Sequence, residues 1–205
     1  MHDIDEDLYT ERFSAFGDVP FHLSVDLDST LCDTRHRKGV IEKYVNAGLP
    51  IDWDDYARSA IQDKPTALVY ILQQMQYAIP WHVTSGRSAE ALDATWAWLE
   101  RHKLKPVSVN LEDSRERHVE LGHVEWKVQR VIELAAAYPI RIHIDDYAAV
   151  GEELEARTGG AIHGLSVIPP GMRAFFEEDV IVKAKHAVAE SPTPEKDEEV
   201  EHGVS

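Results

Sequence analysis

The chain has 205 residues, of which 43% are hydrophobic, and a formal net charge of −16 at neutral pH. This length and composition are typical of one globular domain with at most a small insertion. The acidic charge disfavours non-specific binding to nucleic acid or anionic membranes, which requires basic patches. The one cysteine, Cys32, excludes an internal disulfide and a cysteine-rich zinc site.

Residues 1–18 are polar and weakly patterned, and we expect a flexible N-terminal arm. They lack the apolar core of a signal peptide. No apolar run in the chain approaches the roughly 18 residues of a membrane span. The sequence therefore predicts a protein of the reducing cytoplasm that does not enter a membrane. The apolar run 21–25 then predicts the first buried strand.

Two carboxylates, Asp26 and Asp28, follow that strand. Alternate residues of an extended chain share a face, so both side chains can point the same way. Crowded carboxylates repel each other unless a proton or a cation neutralises them. Oxygen ligands without Cys or His favour Mg²⁺, and Thr30 adds a hydroxyl at the tip of the loop. Taken alone, the pair is equally consistent with an ordinary turn, because Asp and Ser are common turn residues.

Residues 33–77 show helical spacing of apolar residues, interrupted by turn signals. The pattern predicts one helix between 37 and 47, a second begun by Asp52 and a third opened by Pro65. A crossover between parallel strands usually needs a single helix. We therefore interpret residues 33–64 as a small helical cap inserted after the first strand.

The rest of the chain alternates strands with helices. Further strands are predicted at 79–83, 106–111, 140–144 and 161–168, and helices at 88–102, 123–138 and 147–157. The alternation predicts an α/β, Rossmann-like fold over residues 19–175, with a central, mainly parallel sheet flanked by helices. Residues 176–205 are acidic and lack apolar periodicity, which predicts a disordered tail.

Polar residues stand where successive predicted strands end. They are Asp26, Asp28, Ser85, Asp145 and Asp146, with Lys127 in the helix before the last pair. The strand ends of a parallel sheet gather along one edge, where α/β proteins bind ligands, so these groups can converge. Such a set fits phosphoryl transfer, in which a metal and a cation neutralise the phosphate while a carboxylate attacks.

In this order the motifs resemble the haloacid dehalogenase (HAD) superfamily of phosphatases, over roughly residues 23–168. The four motifs are Asp26-Leu27-Asp28-Ser29-Thr30, Ser85-Gly86-Arg87, Lys127 and Asp145-Asp146. The sequence looks closest to the 3′-phosphatase domain of phage polynucleotide kinase-phosphatases, which shares the Ser-Gly-Arg motif and a following helix with Trp, here Trp96 and Trp98. Ser29 departs from the family's usual glycine, which tolerates positive φ, so we expect a slightly shifted loop.

The resemblance implies a role for each motif residue. Asp26 would be the nucleophile that forms an aspartyl-phosphate, and Asp28 the general acid and then the base, while Lys127 would also screen Asp26. The implied substrate-binding residues are Thr30, Ser85, Gly86, Arg87 and Lys127. The implied ligands of Mg²⁺ are Asp26, Asp28, Asp145 and Asp146.

Each motif also has an ordinary structural interpretation when taken alone. Ser85-Gly86 is consistent with a turn, Lys127 with a solvated helix residue and Asp145-Asp146 with a helix cap. Their joint occurrence in the family's order argues against coincidence. Arg87 either binds substrate or braces the loop. Residues 35–37, Arg-His-Arg, are interpreted as the solvated start of a helix, with substrate phosphate as the alternative contact.

The favoured function is a Mg²⁺-dependent phosphatase whose substrate is a polynucleotide 3′-phosphate end or a nucleotide. A small cap leaves the site open to a polymer end, and Arg35, Arg37 and Arg87 would provide a local positive rim. The acidic net charge favours the alternative of a small-metabolite phosphatase. Two alternatives of another class are a receiver-like signalling module and a non-catalytic phosphate-binding relative. In receivers, however, the acidic pair precedes the phosphorylated Asp.

Overall fold

The structure, a computed structural model, describes residues 21–112 and 120–167. Its strands in chain order are β1 (His22–Val25), β2 (Cys32–Asp33), β3 (Lys64–Pro65), β4 (Trp81–Ser88), β5 (Ser108–Glu112), β6 (Ile140–Asp145) and β7 (His163–Ser166). The helices are α1 (Lys38–Asn46), α2 (Trp53–Arg58), α3 (Ala67–Met75), α4 (Leu92–Arg101), α5 (His123–Ala137) and α6 (Ala148–Thr158). The predicted N-terminal arm, 1–18, and acidic tail, 176–205, lie outside the described residues.

Five parallel strands form the main sheet, in the spatial order β5-β4-β1-β6-β7. The predicted α/β fold with a mainly parallel sheet flanked by helices is confirmed. Strand β1 lies in the middle, and the chain first builds β4 and β5 on one side of it and then β6 and β7 on the other. This reversal of direction places the ends of β4, β1 and β6 side by side, where open α/β sheets bind ligands.

Strand β4 is longer than predicted, because it continues through Ser85 and Arg87 to Ser88. Polar residues there suggested a loop, yet the side chains of Ser85 and Arg87 are buried and have protein partners. Helix α4 accordingly begins later than expected, after a 3₁₀ turn at Ala89–Ala91. The hydroxyl of Ser88 accepts the Glu90 N–H at 3.3 Å and caps that turn.

The segment predicted as a helical cap contains α1 and α2. A 3₁₀ turn at Arg35–Arg37 precedes α1, and another at Ser59–Gln62 follows α2. An antiparallel pairing of β2 with β3 joins the two ends of this segment, which the sequence pattern did not predict. Pro65 lies in β3 instead of opening α3. The Thr66 N–H donates to the Leu31 carbonyl at 2.9 Å and its hydroxyl donates to the Thr30 carbonyl at 2.7 Å. These bonds attach the base of the segment to the loop after β1.

Two apolar clusters cover the sheet. The larger one joins β1 and β4 to α3 and α4, and it includes the fully buried Trp81 and Trp98. The second joins β6 to α5 and α6 through Val128, Val131 and Leu154. Burial of this apolar area is the main force holding the helices on the sheet. None of the helices in the described ranges has the length and apolar character needed to cross a membrane.

A pair of histidines, His22 and His82, lies near the starts of β1 and β4, at the opposite end of the sheet from the polar strand ends. His22 Nδ1 and His82 Nε2 are 2.9 Å apart, and His82 Nδ1 is 2.8 Å from the Ser108 hydroxyl. The Tyr138 ring packs against His82 with 4.4 Å between centroids. Burial, with a smaller contribution from His22, lowers the pKa of His82 to about 3. The ring is therefore uncharged in the folded protein at neutral pH.

We expect acid to destabilise the protein through His82. Below the ordinary histidine pKa of 6.5, the unfolded chain binds a proton there that the folded chain does not, so stability falls toward lower pH. The slope from this residue approaches about 1.4 kcal/mol per pH unit between that value and the lowered pKa. Urea unfolding from pH 7.5 to pH 5 should show a flatter pH dependence for His82→Asn. Substituting the exposed His163 by Asn is the control, and an unchanged slope in His82→Asn would contradict the assignment.

Candidate active site

The loop after β1 places Asp26 at the middle of the sheet edge. The Asp26 N–H donates to the Ile144 carbonyl at 2.9 Å, which continues the pairing of β1 with β6. The chain then turns sharply, because the Leu27 carbonyl accepts the N–H groups of Leu31 and Cys32 at 2.9 and 2.8 Å. Ser29 adopts φ 68°, the left-handed conformation that glycine tolerates best. Its buried hydroxyl, 2.9 Å from the Thr34 hydroxyl, helps to hold that conformation.

Three carboxylates converge beside the end of β1. The structure places oxygen atoms of Asp26, Asp145 and Asp146 within 4.8 Å of one another. Lys127 reaches them from α5, with Nζ 2.8 Å from Asp26 Oδ1 and 2.8 Å from Asp145 Oδ2. Asp26, Asp145 and Lys127 are almost fully buried. The structure thus brings together Asp145, Asp146, Asp26 and Lys127 at this edge of the sheet.

Further contacts fix the orientation of the acidic pair after β6. Asp145 Oδ1 accepts the Tyr147 N–H at 2.9 Å, and Asp145 Oδ2 lies 3.1 Å from His143 Nε2. The Thr30 hydroxyl donates to Asp146 Oδ1 at 3.2 Å. Thr30 thus lies in the cluster, with Asp146 as its partner.

The pKa values follow from burial and from the charges inside the cluster. Burial raises the pKa of Asp26 well above its usual range, and the neighbouring carboxylates add to this against the effect of Lys127. Burial and Asp145 raise the pKa of Asp146 to about 7. For Asp145, Lys127 and a hydrogen bond from His143 outweigh burial and lower the pKa. Asp145 and Asp26 likewise outweigh the burial of Lys127 and raise its pKa.

The charge of this cluster fits a divalent cation. Asp26, Asp145 and Asp146 carry three negative charges when ionised and Lys127 one positive charge, which leaves two negative charges uncompensated in a buried site. The pKa of Asp146 is raised first by burial and then by the negative charge of Asp145. Oxygen donors without a sulfur or imidazole ligand suit Mg²⁺. A divalent ion held by the three carboxylates would bring the cluster to neutrality.

Asp28 lies in a second cluster, with Asp63, Arg37 and Arg87. Arg87 Nη2 donates to Asp28 Oδ1 at 2.6 Å and to Asp63 Oδ2 at 3.1 Å. Arg37 donates to Asp28 Oδ1 at 2.8 Å and makes a bidentate contact with Asp63. Burial alone would raise the pKa of Asp28, but the two guanidinium groups outweigh it and hold that pKa well below its usual range. Two positive and two negative charges balance, so this cluster provides no excess charge for a cation.

The fold is shared with proteins of known structure. No protein-family model and no curated protein matches the chain. The structure is similar to a chain of the Pnkp1/Rnl/Hen1 complex, with a TM-score of 0.53 and 19% identity over 74% of this chain and 47% of that one. It is also similar to the class C acid phosphatase from Bacillus anthracis, with a TM-score of 0.54 and 16% identity over 92% and 86% of the two chains. The chain has the fold of HAD phosphatases. It spans a little under half the length of the matched chain in the complex.

Within the HAD fold, the predicted site residues divide between the two clusters. Asp26, Thr30, Lys127, Asp145 and Asp146 belong to the first, which we call the carboxylate cluster. The second, which we call the arginine cluster, contains Asp28 and Arg87 with Asp63 and Arg37. As the structure stands, the side chain of Asp28 lies apart from the other three predicted metal ligands.

The predicted Ser85-Gly86-Arg87 motif lies in the last part of β4. Ser85 is buried in β4, and its hydroxyl accepts the Arg87 N–H at 3.4 Å; Gly86, between them, is half-buried. Arg87 has only 1% of its side chain exposed, and besides Asp28 it donates to the Thr95 hydroxyl at 3.2 Å. Of the two interpretations of Arg87, these contacts support bracing.

The interpretation of Arg37 as a solvated helix residue is wrong. None of its side chain is exposed, because the guanidinium group is enclosed by Asp28 and Asp63 and lies 4.9 Å from the centre of the Tyr56 ring. Arg35, in contrast, is half exposed and bound to Asp33. The expected positive rim of three arginines is therefore reduced to Arg35, since Arg37 and Arg87 face inward.

Two residues of the site were missed by sequence reasoning, Asp63 and His143. Asp63 precedes β3 at the end of the inserted segment, where it belongs to no local pattern, so only the tertiary fold reveals its pairing with the arginines. His143 could have been found. It lies two residues before Asp145 in a predicted strand, and alternate residues of a strand share a face.

Proposed function

We propose that the protein is a Mg²⁺-dependent phosphomonoester hydrolase that acts through an aspartyl-phosphate on Asp26. The observation that carries the proposal is the position of Asp26, which lies at the end of the central strand, 2.8 Å from Lys127, with Asp145 and Asp146 beside it. The fold shared with HAD phosphatases supports it, since both structural relatives named above have that architecture. A covalent route of this kind divides one difficult hydrolysis into two easier displacements.

In the first displacement, an oxygen of Asp26 attacks the phosphorus atom and the bond from phosphorus to the leaving oxygen breaks. Lys127 binds Oδ1 of Asp26, and no hydrogen bond to Oδ2 is found within 21–112 and 120–167, so Oδ2 is the oxygen assigned to the attack. The ammonium group also lowers the repulsion between the carboxylate and the phosphate. Mg²⁺ bound by Asp26, Asp145 and Asp146 would supply charge neutralisation for the phosphate oxygens.

Asp28 is assigned the proton transfers. It gives a proton to the leaving alkoxide in the first displacement and removes one from the attacking water in the second, which regenerates free Asp26 and inorganic phosphate. The two arginines hold Asp28 ionised in the structure, which is the form needed for the second step. A bound phosphate dianion would attract Arg87 and weaken its contact with Asp28, which would raise the pKa of Asp28. The carboxylate would then accept the proton that it donates in the first displacement.

Asp28→Asn is expected to affect poor leaving groups most. An alkyl phosphate needs a proton on its leaving oxygen, so its kcat/KM should fall by about 10²–10⁴-fold. For p-nitrophenyl phosphate, whose leaving group is stable as an anion, the loss should be much smaller. The measurement is phosphate release from both substrates by the wild type and the variant. Equal losses on the two substrates would contradict the role of Asp28 as the acid.

A polynucleotide 3′-phosphate end remains the first candidate substrate. It is supported by the Ser85-Gly86-Arg87 motif, followed by α4 with Trp96 and Trp98, and by the structural likeness to a chain of an RNA repair complex. The second candidate is a small organic phosphate. It is supported by the net charge of −16, by the inward position of Arg87, and by the likeness to an acid phosphatase over 86% of that chain.

One panel of substrates tests the function and the substrate together. Phosphate release is measured with and without Mg²⁺ on a 3′-phosphorylated oligonucleotide, a 5′-phosphorylated oligonucleotide, nucleoside monophosphates and sugar phosphates. We expect release to stop in EDTA and to return with Mg²⁺, because the carboxylate cluster then regains its counter-charge. Full activity in EDTA would contradict the metal requirement, and no release from any substrate would contradict the function.

The same panel separates the two candidate substrates. For a polymer end, kcat/KM should be highest on the 3′-phosphorylated oligonucleotide, and added salt should raise its KM with a slope of about 0.7 per phosphate contacted. For a small organic phosphate, the sugar phosphates should equal or exceed the oligonucleotide and respond little to salt. Asp26→Asn, prepared in the same way, controls for a contaminating phosphatase.

A further inference from the structure

A buried chain of hydrogen bonds begins at the carboxylate cluster and runs through the sheet. His143 Nε2 lies 3.1 Å from Asp145 Oδ2, and His143 Nδ1 lies 3.0 Å from the Ser24 hydroxyl. The Ser24 hydroxyl in turn lies 2.9 Å from the Thr84 hydroxyl. His143, Ser24 and Thr84 have no exposed surface. We call these three residues the polar layer.

The residues of the polar layer precede the proposed site residues by one or two positions in the chain. Ser24 lies in β1, two positions before Asp26, and His143 lies two positions before Asp145 within β6. His143 and Asp145 therefore share a face of the sheet. Thr84 directly precedes Ser85 in β4. Two hydrogen bonds of the polar layer, His143 to Ser24 and Ser24 to Thr84, therefore connect the three adjacent strands whose ends form the site.

When the His143 ring is neutral, Asp145 determines the donor and the acceptor in every hydrogen bond of this series. An ionised Asp145 only accepts hydrogen bonds, so His143 Nε2 must carry the proton and donate it. Nδ1 then accepts from the Ser24 hydroxyl, and the Ser24 oxygen accepts from the Thr84 hydroxyl. The polar layer thus favours one tautomer and one orientation of the imidazole ring.

Stability alone does not require a polar layer at this position. Buried polar groups cost free energy to desolvate, which their hydrogen bonds only offset, and apolar residues of similar volume usually serve a sheet interior equally well. The strand positions nearby in β1 and β6 are filled by Val25 and Ile144, which pack in the apolar core. A specific use for the histidine is therefore the better explanation.

We propose that His143 is a positioning residue that orients Asp145 to bind Mg²⁺, with Ser24 and Thr84 holding the imidazole in place. Lys127 and His143 both occupy Oδ2 of Asp145, whereas Oδ1 accepts only the Tyr147 N–H among the described residues. Oδ2 has two lone pairs, and both accept a hydrogen bond. Oδ1 accepts one hydrogen bond and keeps one lone pair for a cation. This inference rests on the proposed metal site and extends it to a residue behind the ligands.

The test measures metal binding directly, without turnover. Mg²⁺ binding to the full chain is followed by titration calorimetry for the wild type, His143→Leu and His143→Gln. Loss of the donor in His143→Leu should weaken Mg²⁺ binding by about 10–100-fold, the usual effect of removing a group that supports a metal ligand. The glutamine amide can still donate to Asp145, so His143→Gln should recover most of the affinity. A purely structural role would show no such rescue at equal folded fraction.

His82→Asn is the matched control, because His82 is also fully buried, in strand β4 on the other side of β1, but is not bonded to a carboxylate. It should leave Mg²⁺ affinity unchanged. If His143→Leu does not fold, Ser24→Ala and Thr84→Val test the same series of hydrogen bonds at the end away from Asp145. Each should weaken Mg²⁺ binding, by a smaller factor than the loss of His143 itself.

The outcomes are distinct. Wild-type affinity in a folded His143→Leu, or in both far-end variants where that protein does not fold, would overturn the proposal. So would a wild type that binds no Mg²⁺. A further outcome is a wild type that binds Mg²⁺ with an affinity that depends on His143 and yet releases phosphate from no substrate. That result would overturn the phosphatase function and leave the positioning role of His143 supported.

Discussion

Asp26→Asn is expected to lower phosphate release by about four powers of ten or more while the protein stays folded. The amide has nearly the shape of the carboxylate, but its oxygen is a far weaker nucleophile, so the covalent step is lost. Stability should not fall much, since removing one of three crowded charges relieves repulsion while Lys127 keeps its bond to Asp145. The measurement is steady-state phosphate release on the best substrate of the panel.

A second readout tests whether Asp26 itself is phosphorylated during turnover. Wild-type protein quenched during turnover should carry a phosphoryl group, detected by mass spectrometry of the intact chain and located on Asp26 by peptide mapping, and the variant should not. Asp93→Asn is the matched control, because Asp93 is exposed on α4 and contributes to neither cluster. Near-normal turnover in folded Asp26→Asn would show that another group attacks the phosphorus.

The carboxylate cluster could be predicted from sequence because its geometry follows from topology. Parallel strands with helical crossovers bring their ends to one edge, so Asp26 and Asp145 must lie close together once β1 and β6 are neighbours. Lys127 completes the cluster from a helix that crosses the same edge. The placement of the two carboxylates required only the ends of β1 and β6, which the apolar runs define, whereas Lys127 was expected from its place in the family's order of motifs.

The position of Asp28 could not be predicted in the same way. The expectation that Asp26 and Asp28 share a face assumed an extended chain, but β1 ends at Val25 and the Leu27 carbonyl closes a tight turn with three N–H groups. Alternation fails in a turn. What then determines the direction of Asp28 is its attraction to two arginines, one from the inserted segment and one from β4. Such contacts between distant segments have no local sequence pattern.

The arginine cluster also explains why isolated motif residues were ambiguous. Arg35 and Arg37 are two positions apart and chemically identical, yet one is half exposed and the other has no exposed side-chain surface. The difference arises from Asp63, which is 26 positions beyond Arg37 in the chain. Charge near a nucleophile loop therefore does not by itself indicate a substrate-binding rim.

Arg37→Met is expected to destabilise the protein by about 3–5 kcal/mol. Asp63 has no exposed side-chain surface and depends on Arg37 for its bidentate contact, so removing the guanidinium leaves a buried carboxylate with too little compensation. Arg87 still contacts Asp63 at 3.1 Å and His36 Nε2 lies 3.5 Å from Asp63 Oδ1, but Arg87 is then the one guanidinium shared by the two carboxylates. Urea unfolding at neutral pH gives the change in the free energy of unfolding.

Arg35→Met is the matched control, because the same substitution two residues earlier removes an exposed ion pair with Asp33 and should cost at most about 1 kcal/mol. A loss in Arg37→Met no larger than that of the control would contradict the buried pairing. The double variant Arg37→Met with Asp63→Leu then separates stability from function. If it regains stability while turnover of an alkyl phosphate stays low, the charges of the arginine cluster serve to control Asp28 and not to hold the fold together.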